Sequence, residues 1–405
     1  MISFADSERA QELEQRAESL MAEVVLPRER DLAGGTTISA GTVTELREAA
    51  REYEVYAPQI DEEHGGMGVD FRDALPVFEQ AGRSLLGPVA MQVDAPDEGN
   101  MHLLELQGTD LQKEQYLDPL VEGRIKSGFS MTEPMQGAGS DPKMIKTTAE
   151  KDGDEWVING HKWYTTQGIE ADILLVFART DQNAHPYEGC SVFVVPAEAN
   201  GVDVVRNVAH LGSELVGKGH AEVKYTDVRV PEEHLLGEEG KGFKHVQERL
   251  GPARLTHCMR FSGMATRALN IATAYLSERE GFGSKLGEKQ DPRHRIADHH
   301  TRIGAARSLV RTAADRIAAG YEARTEVSMA KVFTANVTQA AIDDALQFCG
   351  ANGMTKDLPI ADFYETVRQF RIVDGADEVH KRTLAREAFD DPALEELDPI
   401  STYDG

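Results

Sequence analysis

The sequence predicts an α+β fold in which a β-rich middle part lies between two helical parts. Up to about residue 125, apolar residues recur three to four positions apart, as in amphipathic helices. From about residue 127 to 236 the period changes to two, between Gly, Asn and Pro turns, as in strands. Helical spacing returns from Leu250 onward, and this order lacks the strand–helix alternation of a doubly wound sheet. We expect domains at residues 1–126, 127–237 and 238–405.

Length and hydropathy predict a soluble, multidomain chain. Its 405 residues are enough for two or three packing units around a large ligand. Mean hydropathy is -0.41, and no apolar run approaches the ~18 residues that a membrane span needs. The start, M-I-S-F-A-D-S-E-R-A, is acidic and does not resemble a secretory signal. We therefore expect a cytoplasmic protein without membrane contact.

Charge and metal-ligand patterns exclude other classes. A net charge of -26 repels nucleic acid, so we expect no nucleic-acid partner. The cysteines lack C-x-x-C spacing, so we expect buried thiols and no zinc site. These cysteines are Cys190, Cys258 and Cys349. A histidine group has no carboxylate at metal-ligand spacing, so we expect it to face solvent or a subunit contact. Its members are His294, His299 and His300.

The segment R-I-V-D-G-A-D-E-V-H, residues 371–380, places the carboxylate of Asp374 on a glycine turn after a hydrophobic run. It resembles the segment before the last helix of acyl-CoA dehydrogenases, where a carboxylate before Gly removes the α-proton of a fatty acyl thioester. Most of that family has Glu there. Asp resembles the subgroup that also forms the C-terminal domain of large animal and plant fusion proteins. The resemblance implies a β-barrel-like middle domain and a C-terminal four-helix bundle.

A Gly/Pro-rich loop, F-S-M-T-E-P-M-Q-G-A-G-S-D-P over residues 129–142, is similar to the family's T-E-P-x-x-G-S-D. The resemblance implies that Phe129 and Thr132 contact the flavin of FAD. It implies that Ser140 lies near the phosphates of the cofactor and of the thioester. This chain has extra residues between Pro134 and Ser140. Composition alone is also typical of an ordinary turn.

The strand motif I-N-G-H-K-W-Y-T-T-Q-G, residues 158–168, resembles the family's N-G-x-K-x-W-I-T-N-G. The resemblance implies that Tyr164 stacks on the isoalloxazine ring and that the Thr166 hydroxyl reaches N5. From its residues alone, N-G predicts a hairpin turn with a buried strand aromatic behind it. Both interpretations can hold, because a strand presents a stacking ring rigidly.

A third motif, R-E-G-F-G-S-K-L-G-E-K-Q over residues 279–290, is similar to the family's R-x-x-F-G-x-x-L-x-x-x-Q. By this resemblance Arg279 and Gln290 reach the diphosphate and adenosine end of FAD across a subunit boundary, with Phe282 packed beside them. An arginine can bind phosphate in a bidentate manner that lysine cannot copy.

A fourth motif, A-L-Q-F-C-G-A-N-G-M over residues 345–354, resembles the family's A-x-Q-x-x-G-G-x-G. Gln347 would bond the pyrophosphate of a neighbouring subunit's flavin. Ala351 stands where the pattern has its second Gly, and its methyl group crowds a backbone that approaches phosphate closely. Cofactor contacts across subunits imply a homodimer or homotetramer.

Further residues are assigned by their position relative to the base. Ala253 occupies the family's alternative base position, so no second carboxylate competes with Asp374. The resemblance places Arg254 and Gly375 near the thioester and Glu378 near the cofactor. His257 follows Arg254 by three residues on the same helix face, so we expect it to face the active site.

The resemblance implies FAD-dependent α,β-dehydrogenation of an acyl-CoA to a trans-2-enoyl-CoA. Asp374 would take the α-proton, flavin N5 the hydride, and an electron-transfer flavoprotein the electrons. The acidic chain then needs a local basic lining for the polyanionic CoA. A carboxylate is a weak base in water, so it needs burial or an acidified substrate. Asp is also about 1.5 Å shorter than Glu, and ~1 Å of misplacement can lower a rate ~10²-fold.

Three explanations of the short base stay open. The turn lies further inward, the acyl chain lies differently, or the substrate is not a plain straight acyl-CoA. Small residues at Gly99 and Ala253 suggest room for a long chain. An oxidase or monooxygenase on this scaffold is an alternative that the retained carboxylate disfavours. A non-catalytic nucleic-acid-binding relative is disfavoured by the charge of -26.

Overall fold

The computed structural model describes residues 6–31, 37–212 and 219–391. The N-terminal part is helical. Two of its helices continue through one wide turn each, Met21–Val25 after the first helix and Lys113–Leu117 after the seventh. The helices are α1 Glu8–Leu20, α2 Leu26–Asp31, α3 Ala40–Glu52, α4 Phe71–Gly82, α5 Gly87–Ala90, α6 Asp97–Gln107, α7 Asp110–Gln112 and α8 Asp118–Glu122.

Side-chain caps define where the first long helices begin. The hydroxyl of Ser7 accepts a hydrogen bond from the backbone N–H of Ala10 at 3.0 Å and starts α1. Ser39 caps α3 in the same way through the N–H of Thr42, at 3.1 Å. Each cap satisfies a backbone donor that the helix itself leaves free.

The middle part is an eight-stranded sheet with the order β6-β7-β3-β2-β4-β5-β8, and β1 pairs in parallel with β4. The strands are β1 Ser127–Ser130, β2 Thr148–Asp152, β3 Glu155–Thr166, β4 Ile173–Arg179, β5 Cys190–Pro196, β6 Val202–Asn207, β7 His220–Pro231 and β8 Leu235–Leu236. Its own apolar core contains Trp156 packed edge-to-face on Phe193, with ring centroids 5.3 Å apart. Aromatic pairs in this geometry add to the stability gained from burial.

The C-terminal part consists of three long helices and two shorter ones. These are α9 Gly242–Glu278, α10 Gln290–Ala318, α11 Arg324–Cys349, α12 Ile360–Gln369 and α13 Asp377–Phe389, with a small hairpin of β9 Glu280–Gly281 and β10 Ser284–Lys285 after α9. The segment between α12 and α13 carries Asp374. The predicted helix, sheet, helix order and the α+β class are confirmed.

Helices α4 and α9 cross in backbone contact. A Cβ atom added to Gly82 would lie 1.9 Å from the carbonyl oxygen of Arg260, and one added to Gly263 would lie 1.9 Å from that of Glu79. Both glycines are therefore required by close approach of the two helices. This crossing joins the N-terminal helices to α9, which carries Arg254 and His257.

The predictions for the cysteines and for the histidine group on α10 can be compared with the structure. Cys190, Cys258 and Cys349 are buried free thiols, as predicted. The expectation that His299 faces solvent or a subunit contact is wrong, since it is buried and its Nε2 lies 2.6 Å from Asp344. A carboxylate on the neighbouring helix α11 supplies its partner, which periodicity along α10 could not reveal. We keep the division at residues 126/127 and 237/238 as a proposal.

Gly263→Ala should destabilise the protein, because its methyl group would overlap the α4 backbone and force the two helices apart. We expect a loss of about 1–3 kcal/mol in the free energy of unfolding, measured by urea denaturation. Gly304→Ala is the matched control, since nothing lies within 4 Å of its added Cβ on α10. It should instead stabilise by up to about 1 kcal/mol. Equal effects of the two substitutions would contradict the close crossing.

Candidate active site

Asp374 and Gly375 form a left-handed turn between α12 and α13. Their φ angles are +56° and +95°. Aspartate is one of the few residues with a side chain that adopts this region at modest cost. Glycine is required at 375 because of its φ of +95° and also because an added Cβ would lie 2.8 Å from Nε2 of His380. The tight turn expected from D-G is therefore present.

Side chains from three helices bond the carbonyl groups of this turn. The carbonyl oxygen of Asp374 accepts hydrogen bonds from Nε of Arg254 at 2.8 Å and from Nε2 of His380 at 3.1 Å. The carbonyl oxygen of Gly375 accepts one from Nζ of Lys331 at 2.8 Å. The donors lie on α9, α13 and α11, so the backbone of the turn is fixed from three directions.

The Asp374 carboxylate faces His257, as the helix spacing predicted. Its Oδ2 lies 3.4 Å from Nδ1 of His257. The same Nδ1 lies 2.6 Å from the carbonyl oxygen of Ala253, which can only accept, so Nδ1 carries the proton. The imidazole ring lies nearly parallel to Phe370, with centroids 5.6 Å apart. A helix carbonyl and an aromatic ring thus fix the tautomer and orientation of the residue beside the base.

The electrostatic surroundings keep Asp374 ionised. Burial would raise the pKa of its carboxyl group, but the interactions with His257, Arg249, Arg254 and Lys331 outweigh burial and lower that pKa. Burial also lowers the pKa of His257 to about 4, so its imidazole is neutral at neutral pH. The three remaining cations stabilise the carboxylate. Burial therefore does not strengthen this base, and the other condition, an acidified substrate, becomes the relevant one.

Arg249 lies against the predicted flavin residue Phe129 and contributes to the lowered pKa of Asp374. Its guanidinium carbon lies 4.1 Å from the centroid of the Phe129 ring, and its Nε donates to Oδ1 of Asn100 at 2.9 Å. A Cβ added to Gly99 would lie 3.0 Å from the same guanidinium carbon. The space beside Gly99 is thus occupied by an arginine, and the expectation of room for a long acyl chain there is wrong.

Thr132 bonds the T-E-P loop to the strand that carries Tyr164. Its hydroxyl donates to the carbonyl oxygen of Trp163 and accepts from the N–H of Tyr164 at 3.1 Å. The Tyr164 ring is parallel to the Trp163 ring, with centroids 5.0 Å apart, and it is 51% exposed. The alternative of a buried aromatic therefore does not apply to Tyr164. About half of the Tyr164 surface therefore remains open to a stacking ligand.

A buried ion pair fixes the same loop from behind. Nζ of Lys162 lies 3.1 Å from Oε1 of Glu133 and donates to the carbonyl oxygen of Met131 at 2.8 Å. The carboxylate of Glu133 also accepts from the backbone N–H groups of Lys146 and Thr147. Burial lowers the pKa of Lys162 to about 8, with Glu133 opposing that shift. Because both charges have partners, the pair orders the loop.

Thr166, at the end of β3, is linked by side-chain contacts to the helix that precedes the base turn. Its hydroxyl is 2.9 Å from Nδ1 of His220, and the His220 ring contacts the His210 ring at 4.1 Å between centroids. In the same loop, the carbonyl oxygen of Leu211 accepts from Nε2 of Gln369 at 2.5 Å. Gln369 is the last residue of α12, and residues 370–373 separate it from the base turn. A chain of contacts thus joins the Thr166 end of β3 to the end of α12, and we call this region the junction.

The other residues predicted to contact the cofactor or the substrate are exposed. One group of them lies far from Asp374, at the opposite end of the C-terminal helices. Ser140 lies in the loop after Thr132, and Glu378 lies in the first turn of α13. The remaining group lies where α9 and α11 end and α10 begins. Its members are Arg279, Phe282, Gln290, Gln347 and Ala351. Arg254 and Arg279 are 25 residues apart along α9, about 37 Å at the helical rise. A single chain therefore does not bring this group to Asp374.

Sequence reasoning missed Arg249, Lys331 and His380. Lys331 is completely buried in α11, where a lone cation interrupts the otherwise uncharged stretch S-M-A-K-V-F-T-A. A buried lysine requires a partner, so this interruption was a usable signal. Nothing in the sequence near Arg249 distinguishes it from an ordinary exposed helix residue.

The residues present fit a flat aromatic cofactor bound at the junction of the sheet and the C-terminal helices. The accessible Tyr164 ring offers a stacking face, while Thr132 and Thr166 offer hydroxyl groups beside it. Among the described residues, no group of three or more His, Cys, Asp or Glu side chains has a metal-binding arrangement. Within the same ranges, no helix is long and apolar enough to cross a membrane.

Comparison with known families assigns the chain along nearly its whole length. The N-terminal, middle and C-terminal domain models of acyl-CoA dehydrogenase match residues 7–124, 128–228 and 240–389. The chain therefore belongs to the acyl-CoA dehydrogenase family. The predicted family and the predicted enzyme class, an oxidoreductase of this family, are confirmed.

Individual relatives agree with this assignment. The Probable acyl-CoA dehydrogenase FadE2 of Mycobacterium tuberculosis is 38% identical, covering 95% of this chain and 96% of that protein. Acyl-CoA dehydrogenase family member 11 of Gallus gallus is 34% identical over 95% of this chain, which spans 51% of that longer protein. A solved Mycobacterium abscessus protein assigned to the acyl-CoA dehydrogenases has a TM-score of 0.90 at 36% identity, covering 96% and 99% of the two chains.

His380 should make the stability of the protein depend on pH. Burial lowers the pKa of its imidazole from 6.5 to about 4. The neutral ring therefore contributes stability that is fully present above pH 6.5 and is lost as pH falls toward 4, where the unfolded chain already binds the proton. Across this window the unfolding free energy should fall by on the order of 1–3 kcal/mol through this group.

Urea denaturation of His380→Gln between pH 7.5 and pH 4.5 measures this contribution. The variant should show a shallower loss of unfolding free energy than the wild type. His294→Gln removes an exposed imidazole and serves as the matched control. A pH dependence unchanged by His380→Gln would show that His380 is not neutral in the folded protein.

Proposed function

We propose that this protein catalyses the FAD-dependent α,β-dehydrogenation of an acyl-CoA thioester to a trans-2-enoyl-CoA, with Asp374 as the base. One observation carries the proposal. Oδ2 of Asp374 is buried and accepts no hydrogen bond within the described residues, while three side chains fix the backbone carbonyls of its turn. A held carboxylate with a free oxygen can accept a proton from a substrate.

The cofactor of this family is FAD, which when bound would supply the hydride acceptor. This chain's Thr132, Tyr164 and Thr166 would hold the flavin with Phe129, whose ring lies against Arg249. The exposed group at the far end of the C-terminal helices would hold the diphosphate and adenosine of a partner subunit's FAD. Its members are Arg279, Phe282, Gln290, Gln347 and Ala351. The separation of about 37 Å along α9 supports sharing between subunits.

The substrate side of the reaction depends on the junction around Asp374. Arg254 and the backbone at Gly375 would lie next to the thioester, and Ser140 would lie near its phosphates. Asp374 would take the α-proton, and its lowered pKa requires that substrate binding acidify that proton. Arg249, Arg254 and Lys331 place positive charge close to the enolate that forms. Glu378, at the start of α13, completes the proposed cofactor contacts.

The proposal includes its partners. Electrons would pass to an electron-transfer flavoprotein, and the working form would be a homodimer or homotetramer in the cytoplasm. Sharing of FAD between subunits is the argument for an oligomer, because the two groups of predicted cofactor residues lie far apart in one chain. Acyl chain length, branching and hydroxylation would be decided by the substrate panel below.

Asp374→Asn should abolish reduction of the bound flavin by substrate, because the amide keeps the shape of the side chain but cannot take a proton. We expect a fall of about 10²–10⁴-fold in the rate of flavin bleaching. Anaerobic absorbance is measured against straight, branched and hydroxylated acyl-CoAs, and the best of these identifies the substrate class. Asp390→Asn, at the exposed end of α13, is the control.

Bleaching that persists in Asp374→Asn would contradict the assignment of the base. Bleaching by none of the acyl-CoAs would contradict the dehydrogenase proposal itself. Rapid oxygen consumption after substrate addition would favour the oxidase alternative over transfer to an electron-transfer flavoprotein.

Arg279→Gln should weaken FAD binding if this side chain bonds the diphosphate. Loss of a hydrogen bond to a charged group corresponds to about a 10–100-fold weaker affinity. Retained FAD after gel filtration at low protein concentration measures the effect. Arg293→Gln, also exposed and near the start of α10, is the control. Equal retention by both variants would place the diphosphate elsewhere.

A further inference from the structure

We propose that Lys331, together with Arg254 and His380, positions the turn so that the short Asp374 side chain reaches the substrate. This inference rests on the proposed function and deepens it, since it concerns how the same base is placed. These are positioning residues, because their bonds to the turn go to backbone carbonyl groups and not to the carboxylate.

The bonding pattern separates placement of the base from its chemistry. The carbonyl oxygens of Asp374 and Gly375 are each bonded by a side chain from another helix. The carboxylate Oδ2 accepts no hydrogen bond within the described ranges. Donors that act on the backbone can move the whole residue without occupying the oxygens that must accept a proton. The three donors therefore set where the carboxylate lies and leave it free to react.

Lys331 is the least replaceable of the three donors. Its side chain is completely buried, donates to Gly375 at 2.8 Å and lies 3.6 Å from Oδ1 of Asp377. Asp377 is itself bonded through Oδ2 by Nε of Arg371 at 2.8 Å and by Nδ2 of Asn336 at 3.0 Å. This network ties both ends of the turn to α11. A buried lysine with one carbonyl and one carboxylate partner has few alternative positions, so it defines a fixed distance.

His380 adds a directional contact from the helix after the turn. Its Nε2 donates to the carbonyl oxygen of Asp374, so its Nδ1 accepts from the hydroxyl of Ser328 at 3.1 Å. Gly375, the residue after Asp374, approaches the His380 ring so closely that an added Cβ would lie 2.8 Å from its Nε2. The turn is therefore pressed against His380 as well as bonded to it.

On this proposal the first of the three explanations for the short base applies, a turn that lies further inward. An Asp loses about 1.5 Å of reach relative to Glu when the backbone stays in place. The donors fix the backbone instead, so reach is supplied by the position of the turn. A longer side chain on the same turn should then overshoot. Asp374→Glu would accordingly be harmful in this chain, even though Glu is the usual base of the family.

A double-mutant cycle between Asp374→Glu and Lys331→Met tests the inference. Asp374→Glu alone should slow flavin bleaching by about 10²-fold, as expected for ~1 Å of misplacement. Lys331→Met removes the bond to Gly375 and loosens the turn, and should slow bleaching by a similar factor with little change in KM. The double mutant should bleach the flavin at least about 10-fold faster than the rate obtained by multiplying the two single-mutant factors. The reason is that the longer side chain then compensates for the displaced turn.

Two further measurements separate positioning from a structural role. An α-deuterated acyl-CoA should show a larger isotope effect with Lys331→Met than with the wild type, because proton removal becomes slower. Lys331→Arg keeps a side-chain donor long enough to reach the Gly375 carbonyl, and should retain more activity than Lys331→Met. FAD content and thermal unfolding of each variant report on folding.

The outcomes are distinct. If Asp374→Glu is as active as the wild type or more active, the inference is overturned, even if Lys331→Met fails to fold. Multiplicative effects in the double mutant, or an unchanged isotope effect in a folded Lys331→Met, would also overturn it and leave the dehydrogenase proposal intact. Absence of bleaching by the wild type would instead contradict the proposed function.

Discussion

The hydrogen bonds from Arg254, Lys331 and His380 to the carbonyl groups of the base turn are the interactions on which the site depends. They join α9, α11 and α13 at one point, and they hold the left-handed Asp374 backbone in place. The crossing of α4 and α9 at Gly82 and Gly263 has the same role at larger scale. It fixes α9, and hence Arg254, relative to the N-terminal helices.

The cations that order the turn also determine its chemistry. They lower the pKa of Asp374 and stabilise negative charge at the junction, so the carboxylate is ionised but weakly basic. Such a base succeeds only if the substrate α-proton becomes more acidic on binding. The same positive groups can stabilise an enolate next to Asp374. One set of charges would thus lower both the pKa of the Asp374 carboxyl group and the pKa of the substrate α-proton. This cluster of cations contrasts with the chain as a whole, which carries a net charge of -26.

Much of the fold followed from the sequence because the long helices and the strands have clear periodicity. The turn at Asp374 and the orientation of His257 were also predictable, since D-G chemistry and a three-residue helical spacing act locally. Arg249, Lys331 and the buried pair of His299 with Asp344 were not, because their burial is decided by neighbouring helices. Gly99 shows the same limit: a small residue indicates space, but the structure places the Arg249 side chain there. Local patterns thus pointed to Asp374 as the proposed base, and tertiary contacts determine how its turn is held.

The most direct test of Asp374 as the base is hydrogen exchange at the α-carbon of a substrate analogue. An acyl-CoA with sulfur in place of the β-carbon can lose an α-proton but has no β-hydrogen to transfer, so proton removal is observed without oxidation. Incubated with the FAD-loaded protein in D₂O, it should gain deuterium at the α-carbon with the wild type and not with Asp374→Asn, as measured by mass spectrometry. Equal deuterium incorporation by both proteins would contradict the assignment of Asp374 as the base.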